Sequence, residues 1–190
     1  MSRANFRFDN TKRYRPESHS RQAMLTPEYV VDPIRRLLGG IGLDPCTEAD
    51  NPLKADRFYC LPQDGAALPW DAPSVFCNPP YGKARGRWVE RCIEEGKFRR
   101  VVLLIPSHTE TLVSQRALLC CHSVVFVRAR LRFGVLRENG RQEAASHGSA
   151  LFGFGVDVTP LQSLGVSFLR NGAEPEHLAL SLGQTQEAMR

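Results

Sequence analysis

Blocks of apolar residues separated by polar turns predict alternating strands and helices along this chain. The segment 101–105 is continuously apolar, as in a strand that is buried on both faces of a parallel sheet, and Ser74–Cys77 and Ser123–Val127 have the same character. Between them, segments 87–95 and 112–119 suit helices. The alternation predicts an α/β fold with a mostly parallel sheet.

The first predicted helix begins at Thr26-Pro27 and ends at Gly39-Gly40. Threonine can cap a helix, proline suits its first turn, and glycine commonly ends one. Pro33 lies inside this helix, so we expect a kink or a restart capped by Asp32.

Short strands are predicted at both ends of the core. Segment 41–44 forms a strand that ends at Asp44, and Arg57–Cys60 forms another. Only 34 positions separate Asp44 from Asn78, too few for two full strand–helix units, so this half of the fold must be abbreviated. Segments 130–133 and 150–154 are expected to pair as an antiparallel edge hairpin. We assign residues 1–21 to a basic arm, 22–170 to one domain and 171–190 to a polar tail.

Composition narrows the class of protein. With 42% hydrophobic and 24% charged residues, the chain of 190 residues suits a soluble domain without a membrane span. Most of the net charge of +5 lies in residues 1–21, which fits either a solvated tail or an arm that contacts phosphates. The six cysteines form no C-x-x-C pair, so we expect reduced thiols and no metal site.

The clearest chemical signal is the sequence Asn78-Pro79-Pro80-Tyr81, directly after an apolar strand. The Asn78 side-chain oxygen and the Pro79 carbonyl can both accept hydrogen bonds from one amino group, which aims its lone pair at an electrophile. Proline has no N–H to compete for these acceptors, and Tyr81 offers a flat face to a planar substrate. The motif therefore predicts an amino methyltransferase.

Two acidic residues are candidates for cofactor contacts. Asp44 and Asn78 both end predicted strands, and ligands of open α/β sheets bind at the carboxyl ends of strands. Asp44 can hold an ammonium group or a ribose hydroxyl, or it can be a turn former before Pro45. Asp64, before Gly65, is a weaker candidate for contact with the adenine or the ribose of a cofactor.

Basic residues follow the motif and recur near the last core strands. Arg128, Arg130 and Arg132 would share one face of a strand, and such runs are either solvated or bind a polyanion. The candidate residues for binding such a polyanion, which the family resemblance described next implies to be DNA, are Lys83, Arg85, Arg87, Arg130 and Arg132. We assign no catalytic role to His108, His122 or His147.

The order of these motifs resembles the phage-type DNA N6-adenine methyltransferases of the Dam family over residues 24–155. The resemblance is carried by Thr26-Pro27, Leu43-Asp44-Pro45, Asp64-Gly65, Asn78-Pro79-Pro80-Tyr81, Leu103-Leu104-Ile105-Pro106, Arg130-Leu131-Arg132-Phe133 and Ser149-Ala150-Leu151. It departs from many adenine methyltransferases in having no glycine-rich turn after Asp44.

The resemblance implies a Rossmann-like fold, S-adenosylmethionine as cofactor and duplex DNA as partner, in the cytoplasm of a bacterium or a phage-infected cell. It implies that Asn78 and Pro79 accept the N6 hydrogens of a flipped-out adenine, with Tyr81 stacked on that base. Thr26, Asp44, Asp64 and Asn78 would contact the cofactor. Any sequence preference would come from loops 83–87, 107–111 and 134–148.

Three alternatives stay open from the sequence. The same chemistry serves RNA adenine or a protein glutamine amide, and the missing glycine-rich turn also suits a non-catalytic DNA-binding protein. The recognition sequence and the oligomeric state are not predicted.

Overall fold

A computed structural model describes residues 25–82, 84–136 and 142–170. The elements follow one another in the order expected for an α/β domain. In the described residues the helices are α1 Glu28–Leu38, α2 Arg85–Glu95 and α3 Leu112–Cys120, with a 3-10 helix at Thr159–Leu164. The strands are β1 Leu43–Thr47, β2 Arg57–Cys60, β3 Ser74–Cys77, β4 Arg100–Pro106, β5 Ser123–Val127, β6 Arg132–Leu136, β7 Gln142–Ala144, β8 Ser149–Phe154 and β9 Gly165–Leu169.

One seven-stranded sheet forms the centre, in the order β2-β1-β3-β4-β8-β5-β9. Strands β1 to β5 run in one direction, and β8 and β9 run against them. The predicted Rossmann-like, mostly parallel sheet is therefore confirmed. Within the described residues no helix separates β1, β2 and β3, as expected for an abbreviated half.

The expected pairing of segment 130–133 with segment 150–154 is wrong. Strand β8 lies between β4 and β5, whereas β6 pairs with β7 in a separate two-stranded sheet. All six residues of β8 are buried, so this strand needs cover on both faces and inserts into the sheet. Within β6, Arg132 is exposed and Phe133 is buried, an alternation typical of a strand with one solvated face.

Side chains of alternate positions on β4 pack on opposite faces of the sheet. Leu103 belongs to a core that includes residues of α2 and α3, whereas Leu104 belongs to one that includes residues of α1. Helix α1 is continuous through Pro33, so neither the kink nor the restart is needed to describe it. It ends at Gly39, whose φ of 67° is the left-handed conformation that favours glycine.

Strand β1 does not end at Asp44. It continues to Thr47 with an irregular register, since Asp44 is opposite Phe58 and Thr47 is opposite Cys60. Pro45 has no N–H for the ladder, which accounts for a bulge at this point. No helix in the described part of the chain has the length and apolar character needed to cross a membrane.

Candidate active site

The candidate site lies at the carboxyl edge of the parallel strands, where β1, β2 and β3 end side by side. A cavity of about 160 Å³ opens there. Its lining comes from the ends of these strands, the loops that follow them and α2: Pro45, Cys46, Thr47, Glu48, Ala49, Tyr59, Cys60, Leu61, Gln63, Asp64, Gly65, Asn78, Pro80 and Trp88. The cavity thus combines acidic groups with apolar and aromatic surface, as ligand sites commonly do.

Asn78 follows β3 directly and lines this cavity. Its amide nitrogen donates to the Thr26 hydroxyl oxygen at 3.2 Å, and Thr26 is itself buried. The amide nitrogen can only donate, so the side-chain oxygen of Asn78 is the atom that can accept a hydrogen bond from a substrate. Thr26 is not the helix cap that the sequence predicts, since Pro27 occupies the cap position of α1 and no side chain caps that helix.

Tyr81 lies at the end of the motif, in contact with three other side chains. Its ring centroid is 6.3 Å from that of Phe133 and 5.3 Å from that of His147, both edge to face, and the Arg85 guanidinium lies 5.4 Å from it. Burial raises the pKa of the Tyr81 phenol, an effect that the charge of Arg85 opposes. The phenol oxygen is buried and has no hydrogen-bond partner among the described residues.

Asp44 is buried and directly precedes Pro45 and Cys46, which line the cavity, but it does not itself belong to the lining. Desolvation raises the pKa of its carboxyl group from the ordinary 3.8 to about 7, against the hydrogen bonds from the Cys46 N–H and the Thr47 side chain. The bond from Cys46 measures 3.2 Å. A cationic ligand next to this carboxyl would stabilise its ionised form, because the positive charge offsets the cost of burying the negative one.

Asp64 lines the other side of the cavity and is already paired. Its carboxylate lies 2.7 Å from the Arg87 guanidinium and also accepts from the Ala66 N–H at 3.2 Å. Arg87, which the sequence predicts to bind DNA, therefore forms an ion pair with Asp64, which the sequence predicts to contact the cofactor. Gly65 permits this loop to close on β1, since a Cβ there would lie 1.8 Å from the Pro45 carbonyl oxygen.

The other predicted DNA-binding residues lie at different places. Arg85 opens α2, whereas Arg130 and Arg132 are exposed near β6, and Lys83 falls outside the described residues. Arg128 and Arg130 precede β6 rather than belong to a strand, so the expected common strand face is wrong. Ala129 between them has a φ of 60°, which interrupts any extended run.

The sequence did not predict that His108 and His147, to which we assign no catalytic role, lie near the motif. The His147 ring contacts Tyr81, and the His108 ring lies 5.3 Å from that of His147. The antiparallel pairing of β4 with β8 brings them together, because Pro106 at the end of β4 is opposite Ser149 at the start of β8. Recognising that pairing in the sequence would have identified them.

The family model described as DNA N-6-adenine-methyltransferase (Dam) matches residues 15–169, which is most of the chain. No curated protein sequence matches the chain. On the strength of the family match, this chain belongs to the Dam family, whose activity is the methylation of adenine N6 in DNA.

Proposed function

We propose that the chain transfers a methyl group from S-adenosylmethionine to N6 of an adenine flipped out of duplex DNA. The observation that supports this most is the position of Asn78. It lines an acid-bearing cavity at the carboxyl edge of the sheet and is held by Thr26, and its motif continues to an aromatic ring at Tyr81. The family match supplies adenine in DNA as the substrate.

The residues around the cavity fit the chemistry of this cofactor. Asp44 adjoins the lining residues Pro45 and Cys46 and is the carboxylate proposed for the ammonium of the methionine portion. Asp64 and Glu48 line the cavity and offer acceptors for ribose hydroxyls. Leu61 and Trp88 add apolar surface that suits an adenine ring. The bound cofactor supplies an electrophilic methyl group, so no covalent intermediate with the protein is required.

The reaction then depends on how the protein holds the amino group. The Asn78 oxygen and the Pro79 carbonyl accept its two hydrogens, which directs the nitrogen lone pair toward the cavity. Tyr81 holds the base by stacking, a contact that contributes about 1–3 kcal/mol per base in proteins that bind single-stranded nucleic acid. Removing the base from the duplex costs a few kcal/mol. Positioning and electrostatics supply the acceleration.

Substitution of the motif tests this proposal. We expect Asn78→Ala to abolish methyl transfer to duplex DNA while the protein still binds the cofactor in calorimetry. Thr26→Val removes the acceptor of the Asn78 amide and should lower the turnover number, whereas the matched Thr26→Ser keeps the hydroxyl and should retain activity. Full activity of Asn78→Ala would contradict the proposed role.

The same assay should compare duplex DNA with RNA and with protein extract as methyl acceptors. Transfer to RNA or to a glutamine amide, with none to DNA, would assign the chemistry to another substrate. Absence of cofactor binding would favour a non-catalytic DNA-binding protein.

A further inference from the structure

Three aromatic rings form a row at the carboxyl edge of the sheet, outside the cofactor cavity. Tyr81 follows β3, His108 follows β4 and His147 precedes β8. The centroid distances along the row, from Tyr81 to His147 and from His147 to His108, are both 5.3 Å, with each pair edge to face. The row joins the residue proposed to stack on the target base to two side chains that the reaction above does not use.

Positive charge accumulates around this row. The Arg85 guanidinium lies over the Tyr81 ring, and its buried Nε has no hydrogen-bond partner among the described residues. Burial lowers the pKa of His147, and the charges of His108, Arg85 and Arg130 lower it further, against the carbonyl of Gly148. In the part of the chain that the structure describes, no carboxylate pairs with Arg85, Arg130 or His147. Arg85 and Arg130 therefore have no carboxylate partner among the described residues.

The amino end of α2 adds to this field. The helix has 11 residues and begins at Arg85, with no side-chain cap and no acidic residue in its first turn. The Arg85 and Arg87 N–H groups already donate to the carbonyls of Gly82 and Ala84, so the helix dipole is what makes this end favourable for an anion. Two arginines occupy this turn: Arg87 is paired with Asp64, whereas Arg85 pairs with no carboxylate among the described residues, so an anion from outside the chain would pair with Arg85.

We propose that Arg85, at the amino end of α2, together with His108 and His147, binds the DNA backbone phosphates that flank the target adenine. This inference rests on the proposed function and names the part of the substrate that these groups hold. His147 binds a proton when the phosphate arrives, because the anion offsets the surrounding cations. His147 is thus a positioning residue, which holds the flipped nucleotide against Tyr81 without contact with the reacting atoms.

Fluorescence anisotropy with a labelled unmethylated duplex, without cofactor and at constant ionic strength, tests this inference between pH 6 and 8.5. For the wild type we expect the affinity to rise as the pH falls, by up to about tenfold per pH unit for one linked proton. His147→Gln should lose most of that rise. His122→Gln is the matched control and should behave as the wild type, because His122 is exposed and precedes β5 at the opposite edge of the sheet.

Two further measurements separate this site from a structural effect. Arg85→Gln should reduce the slope of log affinity against log salt by about one, with an unchanged melting temperature. His147→Gln should raise KM for DNA more than it lowers kcat. A His147→Gln variant with the pH dependence of the wild type would overturn the phosphate site. Intact pH-linked binding without methyl transfer would contradict the proposed function and leave this site standing.

Discussion

Asp44→Asn separates the contribution of this carboxylate to stability from its contribution to binding. The carboxyl of Asp44 is buried, and its pKa in the folded chain is about 7 against 3.8 when solvated. The folded state therefore holds a proton more tightly than the unfolded state. This group stabilises the fold fully below pH 4, and that stabilisation is lost as the pH rises to about 7.

The magnitude follows from the size of the shift. A difference of ~3 pH units at ~1.4 kcal/mol each gives at most about 4 kcal/mol of lost stability at pH 8. The asparagine side chain in this variant keeps an oxygen for the Cys46 N–H and carries no charge to desolvate. We expect Asp44→Asn to raise the free energy of unfolding at pH 8 by up to this amount and to change it little at pH 4. Cofactor affinity should fall about tenfold or more, since a charge-assisted hydrogen bond contributes roughly 1.5–3 kcal/mol.

Urea unfolding at pH 4, 6 and 8 measures the first effect, and calorimetry with S-adenosylmethionine measures the second. Asp50→Asn, an exposed carboxylate in the loop after β1, is the matched control, and it retains Asp44 and its pH dependence. If the free energy of unfolding of Asp44→Asn depended on pH as that of the wild type does, the buried carboxylate would not be the source of the pH dependence. Unchanged cofactor affinity would refute its contact with the ammonium group.

Two further substitutions test the substrate face and the cavity wall. Tyr81→Ala should lower kcat/KM for DNA by roughly ten- to a hundredfold through lost stacking. Tyr81→Phe should stay near the wild type, because the phenol oxygen has no partner among the described residues. Equal activity of both variants in steady-state kinetics would exclude stacking. Gly65→Ala should lower both the melting temperature and cofactor affinity, because its Cβ would meet the Pro45 carbonyl at 1.8 Å. Gly39→Ala, strained only by its φ of 67°, should cost about 1 kcal/mol and leave cofactor affinity intact, and equal effects of the two alanines on that affinity would contradict this account of the wall.

Local patterns were sufficient to predict most elements of the fold. Ser74–Cys77, Ser123–Val127 and Arg57–Cys60 form strands with the predicted bounds, because each has a clear apolar or β-branched character and a turn beside it. The insertion of β8 between β4 and β5 could not be predicted in this way. Partner choice among equally apolar strands depends on tertiary packing, which a local pattern does not encode.

In the candidate site, too, features contained in adjacent residues could be predicted, and contacts between distant residues could not. The Asn78-Pro79-Pro80-Tyr81 sequence predicts a catalytic turn because its chemistry is contained in adjacent residues. Thr26 as the partner of Asn78 could not be predicted, since 52 positions separate them and a threonine before proline is equally suited to a helix cap. The proximity of His147 to the motif could not be predicted for a similar reason, because its contact with Tyr81 depends on where β8 lies.

The most direct test of the account is the identity of the methylated product. Unmethylated duplex DNA should be incubated with the wild-type chain and methyl-labelled S-adenosylmethionine, then digested to nucleosides and separated. The account predicts label in N6-methyladenine and none with Asn78→Ala. Label in another nucleoside, or no label although the cofactor binds, would contradict it.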